Sequence, residues 1–515
     1  MFKNKFFLLF VFATFVSNVG TWLFAVGAGW LMTDLGSSAL SVSLVQTASL
    51  LPMLLLAVPA GAVGDLYDRR RIVIASQAFL VLNTLLFAYL VMVGIASVNL
   101  LLFFTLMNGV GAAFAGPVMS AIIPQLVERD RLRTAMSFSS IAFNFARAVG
   151  PILGGLLIAN YTIDLPFWID ALSYVAVIVV LFSWKYKREE EGNLPPEPLR
   201  LAMGASLRFL RYTPSLYNSI LRSVLFFFSA GALWALMPLV ARERLGGGAD
   251  LYGYLLGAAG VGAVISGVLG DKITSVINGG PLIVVVSALM SAGLLAIGIT
   301  DSEVVAIMAT FIAGAAWQIG FTSLITSSQY ALPIWYGARG MAFFIMAMSG
   351  SLAIGSALWG ALSDASSLQT AYLAAAGVGA LLIPLGMRFP LNQAENADLR
   401  AVEDYPVPKF DSEPTGCIRI VHTYELGEAN YDEAVARLRK LRNKRYRAGA
   451  LKWGLLSYPE DRTRLIEFYV QYSHRELERH AHHVTREDSE RTEEIHQWLR
   501  ERGATWNTSY FTVVA

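Results

Sequence analysis

Twelve apolar runs of about 20 residues, separated by short polar breaks, occupy the chain from Phe6 to about Met387. The hydrocarbon core of a bilayer is about 30 Å thick, and roughly 20 apolar residues in an α-helix cross it. Lipid offers no hydrogen bonds to a bare backbone, so such runs must be helical. The sequence therefore predicts an all-α membrane domain with twelve transmembrane helices. The predicted spans are residues 6–32, 43–64, 72–94, 99–121, 136–159, 166–184, 218–240, 251–270, 281–299, 303–327, 340–362 and 368–387.

The composition agrees with this class of protein. Of the 515 residues, 55% are hydrophobic and 15% are charged, whereas a soluble domain carries about 25% charged residues. The single cysteine, Cys417, excludes an internal disulfide framework. The net charge of +2 argues neither for nor against nucleic acid, and no nucleic-acid partner is predicted. The lipid bilayer is the partner that the apolar runs require.

Basic residues in the short loops predict the orientation, because such loops face the cytoplasm. One side holds most of them: Lys3, Lys5, Arg69–Arg71, Arg129, Arg131, Arg133, Lys185, Lys187, Arg188, Lys272, Arg339 and Arg388. On the other side only Arg242 and Arg244 stand out. We therefore expect a multi-pass protein of the cell inner membrane with both termini in the cytoplasm.

The two halves of the membrane domain repeat each other. Gly61-Ala-Val-Gly-Asp65 matches Gly267-Val-Leu-Gly-Asp271 at an offset of 206 residues, and the stretch at Gly150–Gly155 matches Gly355–Gly360 at an offset of 205. Two independent matches at nearly one offset indicate a duplication. The predicted architecture is two pseudo-symmetric six-helix bundles with a small-molecule site between them, as in secondary transporters.

The loop after the second span has a regular arrangement of glycines and charges: Gly61, Gly64, Asp65, Asp68, Arg69 and Arg70. The glycines allow a neighbouring helix to approach closely. The two aspartates follow a helix C-terminus, where negative charge is unfavourable unless a cation lies nearby. We interpret the loop, with Gly267 and Asp271 in the second half, as a charge-linked conformational latch. The alternative is a positive-inside loop with no further role.

This loop resembles that of the major facilitator superfamily, Gly-x-x-x-Asp-x-x-(Gly/Asp)-Arg-Arg. With Ser17–Trp22 in span one and Pro124–Val127 after span four, the chain is similar to the branch of enterobactin-type siderophore exporters and macrolide efflux proteins. The resemblance covers residues 1–390. It implies the superfamily fold, alternating access and a small-molecule substrate such as a siderophore, a macrolide or another drug-like compound.

Span five contains Arg147, Gly150, Pro151, Gly154 and Gly155. The proline removes a helix hydrogen bond and the glycines allow bending and close packing. In the superfamily such an element resembles the antiporter signature, which implies export against proton entry. The alternative is a kinked packing helix without that role.

Ionisable groups at membrane depth are costly and usually functional. Arg147 lies near the middle of span five and Asp170 one turn into span six, so a pairing of the two is expected. The protonatable carboxylate is predicted to be Asp170 or Asp34; either is also interpretable as a helix-end residue in contact with water. Arg222 is expected to reach the cytoplasmic surface. Eight polar or aromatic residues are candidates to line a central cavity: Asn18, Trp22, Gln46, Asn108, Asn144, Trp234, Gln318 and Gln329.

The C-terminal segment reads as a soluble domain with the order β-α-β-β-α-β, the ferredoxin-like arrangement. Strands are predicted at 418–424, 451–457, 463–471 and 509–515. Asn430 and Glu433 predict a capping box, and a helical region at 474–500 is predicted to break near Thr485. The domain resembles dimeric α/β-barrel proteins that include small antibiotic-biosynthesis-type monooxygenases.

A dimerisation or regulatory role is favoured for this domain, and oxidation of the exported compound is the alternative. His480 and His483 are three residues apart on a helix, but a solvated face is the preferred interpretation. No metal, cofactor or catalytic residue is predicted.

The predicted organisation is therefore a six-helix bundle at 1–184, a cytoplasmic linker at 185–217, a second six-helix bundle at 218–388, a linker at 389–416 and the ferredoxin-like domain at 417–515. The favoured function is proton-coupled export of small molecules. An importer of the same fold and a bifunctional transporter with an enzymatic C-terminal domain are the alternatives.

Overall fold

Twelve helices in the computed structural model are long and apolar enough to cross a membrane, which confirms the predicted number of spans. The structure describes residues 5–36, 38–127, 131–184, 199–277, 279–333, 336–388, 391, 398–400, 402, 410, 416–427, 429–481 and 484–512. Residues 185–198 and most of 389–415, which belong to the predicted linkers, lie outside this set.

The first half of the membrane domain consists of six helices. They are α1 (Lys5–Asp34), α2 (Ala39–Leu66), α3 (Arg69–Met92), α4 (Val98–Leu126), α5 (Leu132–Asn160) and α6 (Leu165–Phe182). Ser38, Asp68 and Ser97 cap the first turns of α2, α3 and α4 through their side chains, as short polar residues do at helix N-termini.

The second half begins after an amphipathic helix, α7 (Leu199–Tyr212), which lies within the predicted linker at 185–217. Its spans are more interrupted than those of the first half. They comprise α8 (Pro214–Ala235), α9 (Met237–Leu239) with a π-helical turn (Val240–Arg244), α10 (Ala249–Val268), the short α11 (Gly270–Val276), α12 (Gly279–Ile299), α13 (Glu303–Tyr330), α14 (Gly337–Ala365), α15 (Leu368–Ala380) and α16 (Leu382–Arg388).

The contacts of matching glycines express the duplication in three dimensions. A Cβ at Gly150 of α5 would lie 2.6 Å from Trp22 Cβ of α1, and one at Gly355 of α14 would lie 2.5 Å from the Phe228 carbonyl oxygen of α8. The next matching pair reaches across to the other half: Gly155 of α5 meets α10, whereas Gly360 of α14 meets α2. Equivalent helices therefore make equivalent contacts, as two pseudo-symmetric bundles require.

The aromatic packing inside the first bundle is close. Phe24, Phe87 and Phe167, from α1, α3 and α6, form edge-to-face or tilted pairs with ring centroids 4.9–6.2 Å apart. Such arrangements bring positive ring edges toward negative ring faces. This cluster fixes α6, and with it Asp170, against α1.

The C-terminal domain has the predicted element order. It contains β1 (Ile418–Glu425), α17 (Tyr431–Arg439), α18 (Leu441–Arg447), β2 (Lys452–Ser457), β3 (Arg464–Gln471), α19 (His474–Ala481), α20 (Arg486–Arg500) and β4 (Thr505–Thr512). The sheet order is β2-β3-β1-β4, with all pairs antiparallel. This topology is ferredoxin-like, and its helices cover one sheet face around Tyr424, Leu438 and Leu499.

Local signals in this domain are mostly confirmed. The Asn430 side chain accepts a hydrogen bond from Glu433 N at 3.2 Å, while the Glu433 carboxylate pairs with Arg437 instead of closing the capping box. Thr485 caps α20 and so marks the predicted break. The last strand begins four residues earlier than predicted, at Thr505, because Gly503 ends the preceding turn with a positive φ of 71°.

The C-terminal domain forms one compact unit with the described residues of 192–219 and 327–341. Within it, the rings of Tyr212 and Tyr446 stack with centroids 4.3 Å apart, and Phe209 stacks on Tyr336 at the same separation. A cavity lies between these elements, bordered by Phe209, Pro333, Arg447, Asp488 and Arg491. The soluble domain therefore packs on the amphipathic helix α7 and on the segment before α14.

Candidate functional site

A buried arginine lies where α5 meets the second bundle. Arg147 is 6% exposed, and its Nη1 donates a hydrogen bond to Gln318 Oε1 of α13 at 3.3 Å. Gln318 Nε2 in turn donates to Thr322 Oγ1 at 3.1 Å. Gly150 and Gly154 allow α1 to pack directly against the same helix. The guanidinium group is therefore fixed between the two halves of the membrane domain.

Two tryptophans contact this arginine, and a third packs on one of them. The Arg147 guanidinium carbon lies 5.2 Å from the ring centroid of Trp234 and 5.8 Å from that of Trp317. Trp234 is also 6.1 Å from Trp22 and 5.4 Å from Trp317, centroid to centroid. We call Arg147, Gln318, Trp22, Trp234 and Trp317 the arginine site. Two of its buried donors, Arg147 Nε and Trp234 Nε1, have no hydrogen-bond partner in the described part of the chain.

A second buried charge lies behind α1. Asp170 of α6 is completely buried, and a Cβ at Gly20 would lie 2.8 Å from its Oδ1. The Tyr174 hydroxyl lies beside this carboxyl group and within reach of Thr21 and Asn108. Neither carboxylate oxygen accepts a hydrogen bond of normal geometry from any described residue. The expected pairing of Asp170 with Arg147 is therefore wrong, because each faces a different set of helices.

Helix α1 contacts Asp170 directly and reaches the surroundings of Arg147 through Trp22. Gly20 faces Asp170, whereas Trp22 belongs to the arginine site. Two residues correspond to about 200° of rotation in an α-helix, so the two positions point to opposite sides. A movement of α1 therefore changes the surroundings of both groups at once.

Charged contacts join the two bundles at one end of the membrane domain. Asp34 Oδ1 pairs with Arg242 Nη1 at 2.5 Å, with 41% of each side chain exposed. Asp364 at the end of α14 accepts hydrogen bonds from the backbone N–H groups of Ala39 and Leu40, at 2.7 and 3.0 Å. Negative charge is favourable there, because the first N–H groups of α2 lack helical partners. We call this end the closed face.

Close helix packing extends inward from the closed face and then stops. A Cβ at Gly253 of α10 would lie 3.0 Å from Gly155 Cα, and one at Gly260 would lie 2.5 Å from Ala148 Cα of α5. Near the end of α10, a Cβ at Gly267 would meet only Gln318 Cγ at 3.8 Å, and one at Gly270, the first residue of α11, would meet nothing within 4 Å. The membrane domain is therefore sealed at the closed face and looser toward the other end.

The predicted latch has a different local structure from the one expected. Asp68 caps α3 by accepting a hydrogen bond from Arg71 N at 3.2 Å. The expectation of an unfavourable helix C-terminal position is wrong for Asp68, because the chain has already left α2 and a new helix begins at Arg69. Arg70 Nη2 donates to the Phe182 carbonyl oxygen at 2.9 Å. Thus this loop ties α3 to the end of α6.

The remaining latch residues give less information. The surroundings of Gly61, Gly64 and Asp65 lie outside the described part of the structure. In the second half, Asp271 lies in the first turn of the short α11, after a break at Leu269. The latch therefore stays a prediction.

The candidate cavity residues divide into four groups. Trp22, Trp234 and Gln318 meet in the arginine site, and Asn108 lies near Asp170, where its Nδ2 also donates to Thr84 Oγ1 at 3.4 Å. Asn144 bonds within its own helix, to the Ser140 carbonyl oxygen. The others are not among the described contacts of Arg147: Asn18, Gln46 and Gln329.

Four functional candidates were not found from the sequence. Trp317 and Tyr174 resembled ordinary apolar helix residues, and Asp364 and Arg242 resembled helix ends. Their roles depend on which helices face each other. In the sequence, only the duplication indicates part of this helix pairing. Arg222 is 2% exposed and fully within the protein, so its expected position at the surface is wrong.

The C-terminal domain contains a buried polar network on the helix-covered face of its sheet. Glu467 accepts hydrogen bonds from Arg445 Nε at 3.0 Å and from Trp453 Nε1 at 2.9 Å. Burial opposes ionisation of Glu467, but the Arg445 charge outweighs burial and lowers the pKa of Glu467 to about 2. Burial, aided by Arg445, lowers the pKa of His422 to about 4. The network is well satisfied, as a stabilising buried cluster should be.

No group of three or more histidine, cysteine or acidic side chains suited to a metal ion occurs among the described residues. The side chains of His480 and His483 lie outside that description.

Comparisons with known proteins match these features. The family model described as transmembrane secretion effector matches residues 1–508. The staphyloferrin A transporter of Staphylococcus aureus is 22% identical over 272 residues, covering 52% of this chain and 68% of that protein. The multidrug efflux pump Tap of Mycolicibacterium fortuitum is 29% identical over 217 residues, covering 41% and 53% respectively.

Solved structures share the fold at low sequence identity. A POT family transporter in complex with a thioalcohol-conjugated peptide superposes with a TM-score of 0.63 at 11% identity, covering 74% of this chain and 95% of that chain. The similarity at this level concerns the architecture of the twelve helices.

Proposed function

Because this chain belongs to the transmembrane secretion effector family of major facilitator superfamily transporters, we propose that it exports small molecules by proton antiport. The protein is a multi-pass membrane transporter, and its relatives include a siderophore transporter and a drug efflux pump. The observation that carries the proposal is the pair of buried charges on opposite sides of α1, at Asp170 and Arg147. Asp170 is suited to bind a proton, and Arg147 is suited to bind a substrate.

Asp170 is the proposed proton carrier. An ionised carboxylate that is completely buried and accepts no hydrogen bond of normal geometry is costly, and protonation removes that cost. Asp34, the other candidate, already has Arg242 as a partner and is exposed. We therefore favour Asp170. Binding and release of this proton are expected to be coupled to a movement of α1, which lies between Asp170 and the arginine site.

The distribution of basic residues supports a cytoplasmic location for both termini. On that basis the closed face is external, and the structure corresponds to an inward-facing state. Substrate would reach the arginine site from the cytoplasm, and opening of the closed face would release it outside. The glycines of α5 and α10, which fit so closely here, would separate in that step.

The C-terminal domain is proposed to form a homodimer through the sheet face opposite its helices. That face carries Leu456, 53% exposed, and Phe511, 55% exposed. It also has Arg419 at one end of β1 and Glu425 at the other. In a two-fold arrangement these opposite charges face each other, which favours a second copy of this chain over another partner. We expect Phe511→Asp to convert dimers to monomers in mass photometry of the full chain in nanodiscs; unchanged dimers, or a monomeric wild type, would exclude this interface.

Export is tested in cells that express the protein, with a panel of siderophores, macrolides and dyes, in the presence and absence of a protonophore. We expect lower retention of at least one compound on expression and its recovery when the proton gradient collapses. Asp170→Asn should abolish the effect while leaving the protein in the membrane. Increased uptake would support the importer instead.

A further inference from the structure

We infer that the substrate is an organic anion that carries a carboxylate or similar planar oxyanion beside an aromatic ring, and that Arg147 binds the anionic group. This inference rests on the proposed transport function and names the substrate class of the arginine site.

The charge of Arg147 has no counter-ion among the residues that the structure describes. Its described partners are the amide of Gln318 and the ring faces of Trp234 and Trp317, all of which are neutral. No carboxylate lies within 4.0 Å of this guanidinium among the described residues, and Asp170 lies against Gly20 of α1 instead. A buried charge without a counter-ion is strongly destabilising, whereas a paired one is tolerated. The site therefore needs an anion that the described part of the chain does not supply.

The free donors match a planar oxyanion. Arg147 Nε and Trp234 Nε1 are buried and have no partner in the described structure, while one terminal nitrogen of the guanidinium is held by Gln318. The Nε edge of a guanidinium donates two parallel hydrogen bonds to a carboxylate. The Gln318 contact fixes the orientation of this fork, since Gln318 is itself anchored on Thr322.

The surrounding tryptophan rings favour a substrate with an aromatic ring beside its anionic group. Trp22, Trp234 and Trp317 are each half-buried and form a connected group. Indole faces favour stacking of another aromatic ring, and they also leave the adjacent guanidinium poorly hydrated. An aryl carboxylate satisfies both the donors and the ring faces. A neutral or cationic compound of the same size leaves the arginine unpaired.

The test compares two ligands of nearly equal shape, 2-naphthoate and 2-naphthamide, by calorimetric titration of the purified full chain in nanodiscs. Hydrogen bonds to charged groups contribute about 1.5–3 kcal/mol, so the wild type should bind the carboxylate roughly 10- to 100-fold more tightly than the amide. Arg147→Gln should remove this preference, and Arg147→Lys should retain part of it because the charge remains without the fork. Arg211→Gln, which changes an exposed arginine of α7, is the matched control and should leave it intact.

The ratio of the two affinities within one variant corrects for partial loss of folded protein. Equal binding of acid and amide by the wild type would overturn the inference, and so would a preference that survives in Arg147→Gln. Absence of binding by the wild type would overturn it as well. No membrane gradient is present in this experiment, so these results are independent of whether the protein is an exporter or is driven by protons.

Discussion

Removing the charges at the closed face should open it. The perturbation is the double variant Asp34→Asn with Asp364→Asn, which removes both charged contacts between the bundles. Replacing the Asp364 carboxylate with a neutral amide removes its charge from the N-terminus of α2 and one of its two acceptor oxygens, which costs about 1 kcal/mol. The exposed Asp34–Arg242 pair contributes at most about 1 kcal/mol. The two sites share no partner, so the effects should add to roughly 2 kcal/mol, which shifts the equilibrium toward the open form roughly 30-fold.

Distances between spin labels measure this shift. In a Cys417→Ser background, labels at Tyr161→Cys and Glu243→Cys report on the closed face, since both positions are exposed and lie in different bundles. We expect a longer distance to appear in the double variant. Asp301→Asn is the control, because it removes a similar ion pair, with Arg244 Nη2 at 3.2 Å, that lies within one bundle. Unchanged distances in the double variant, or an equal change in the control, would refute the reasoning.

Three further changes have defined outcomes. Gly155→Val should open the contact with Gly253 and deplete the closed form, since overpacking costs about 1–3 kcal/mol. The same spin labels should report a longer distance. Gly116→Val, where a Cβ meets nothing within 4 Å, should leave that distance unchanged. Glu467→Gln should lower the free energy of unfolding of the C-terminal domain by about 3–5 kcal/mol, because the buried charge of Arg445 then has no counter-ion. Hydrogen exchange of β1 and β3 measures this loss. His422 has a pKa of about 4 in the folded domain and about 6.5 in the unfolded chain. The unfolded chain therefore binds the proton first, and the stability of the domain should fall as the pH drops from about 6.5 toward about 4. Hydrogen exchange corrected for intrinsic rates should show a weaker pH dependence of stability in His422→Gln.

The number of spans and the duplication were predictable from the sequence because both depend on local pattern. Apolar length defines a span, and two matches at nearly one offset define a repeat. The order of elements in the C-terminal domain followed in the same way from alternation and caps. Helix α7 escaped prediction because its charges and neighbouring prolines resembled those of a linker.

The pairing of buried charges was not predictable. Arg147 and Asp170 lie on consecutive spans, yet one faces α13 and the other faces α1. Which side of a transmembrane helix is buried is poorly marked when all sides are apolar. Asp68 was misjudged for another reason: it was assigned to the end of one helix although it caps the next.

The central claim is that proton entry through Asp170 drives export. It is tested most directly with inverted membrane vesicles that contain the protein and are acidified inside by respiration, using the panel of siderophores, macrolides and dyes. The account predicts that at least one compound accumulates, that a protonophore releases it, and that Asp170→Asn vesicles with equal protein content do not accumulate it. Accumulation that persists without a gradient or in the Asp170→Asn variant would contradict the account, as would gradient-driven loss of a preloaded compound from the vesicles.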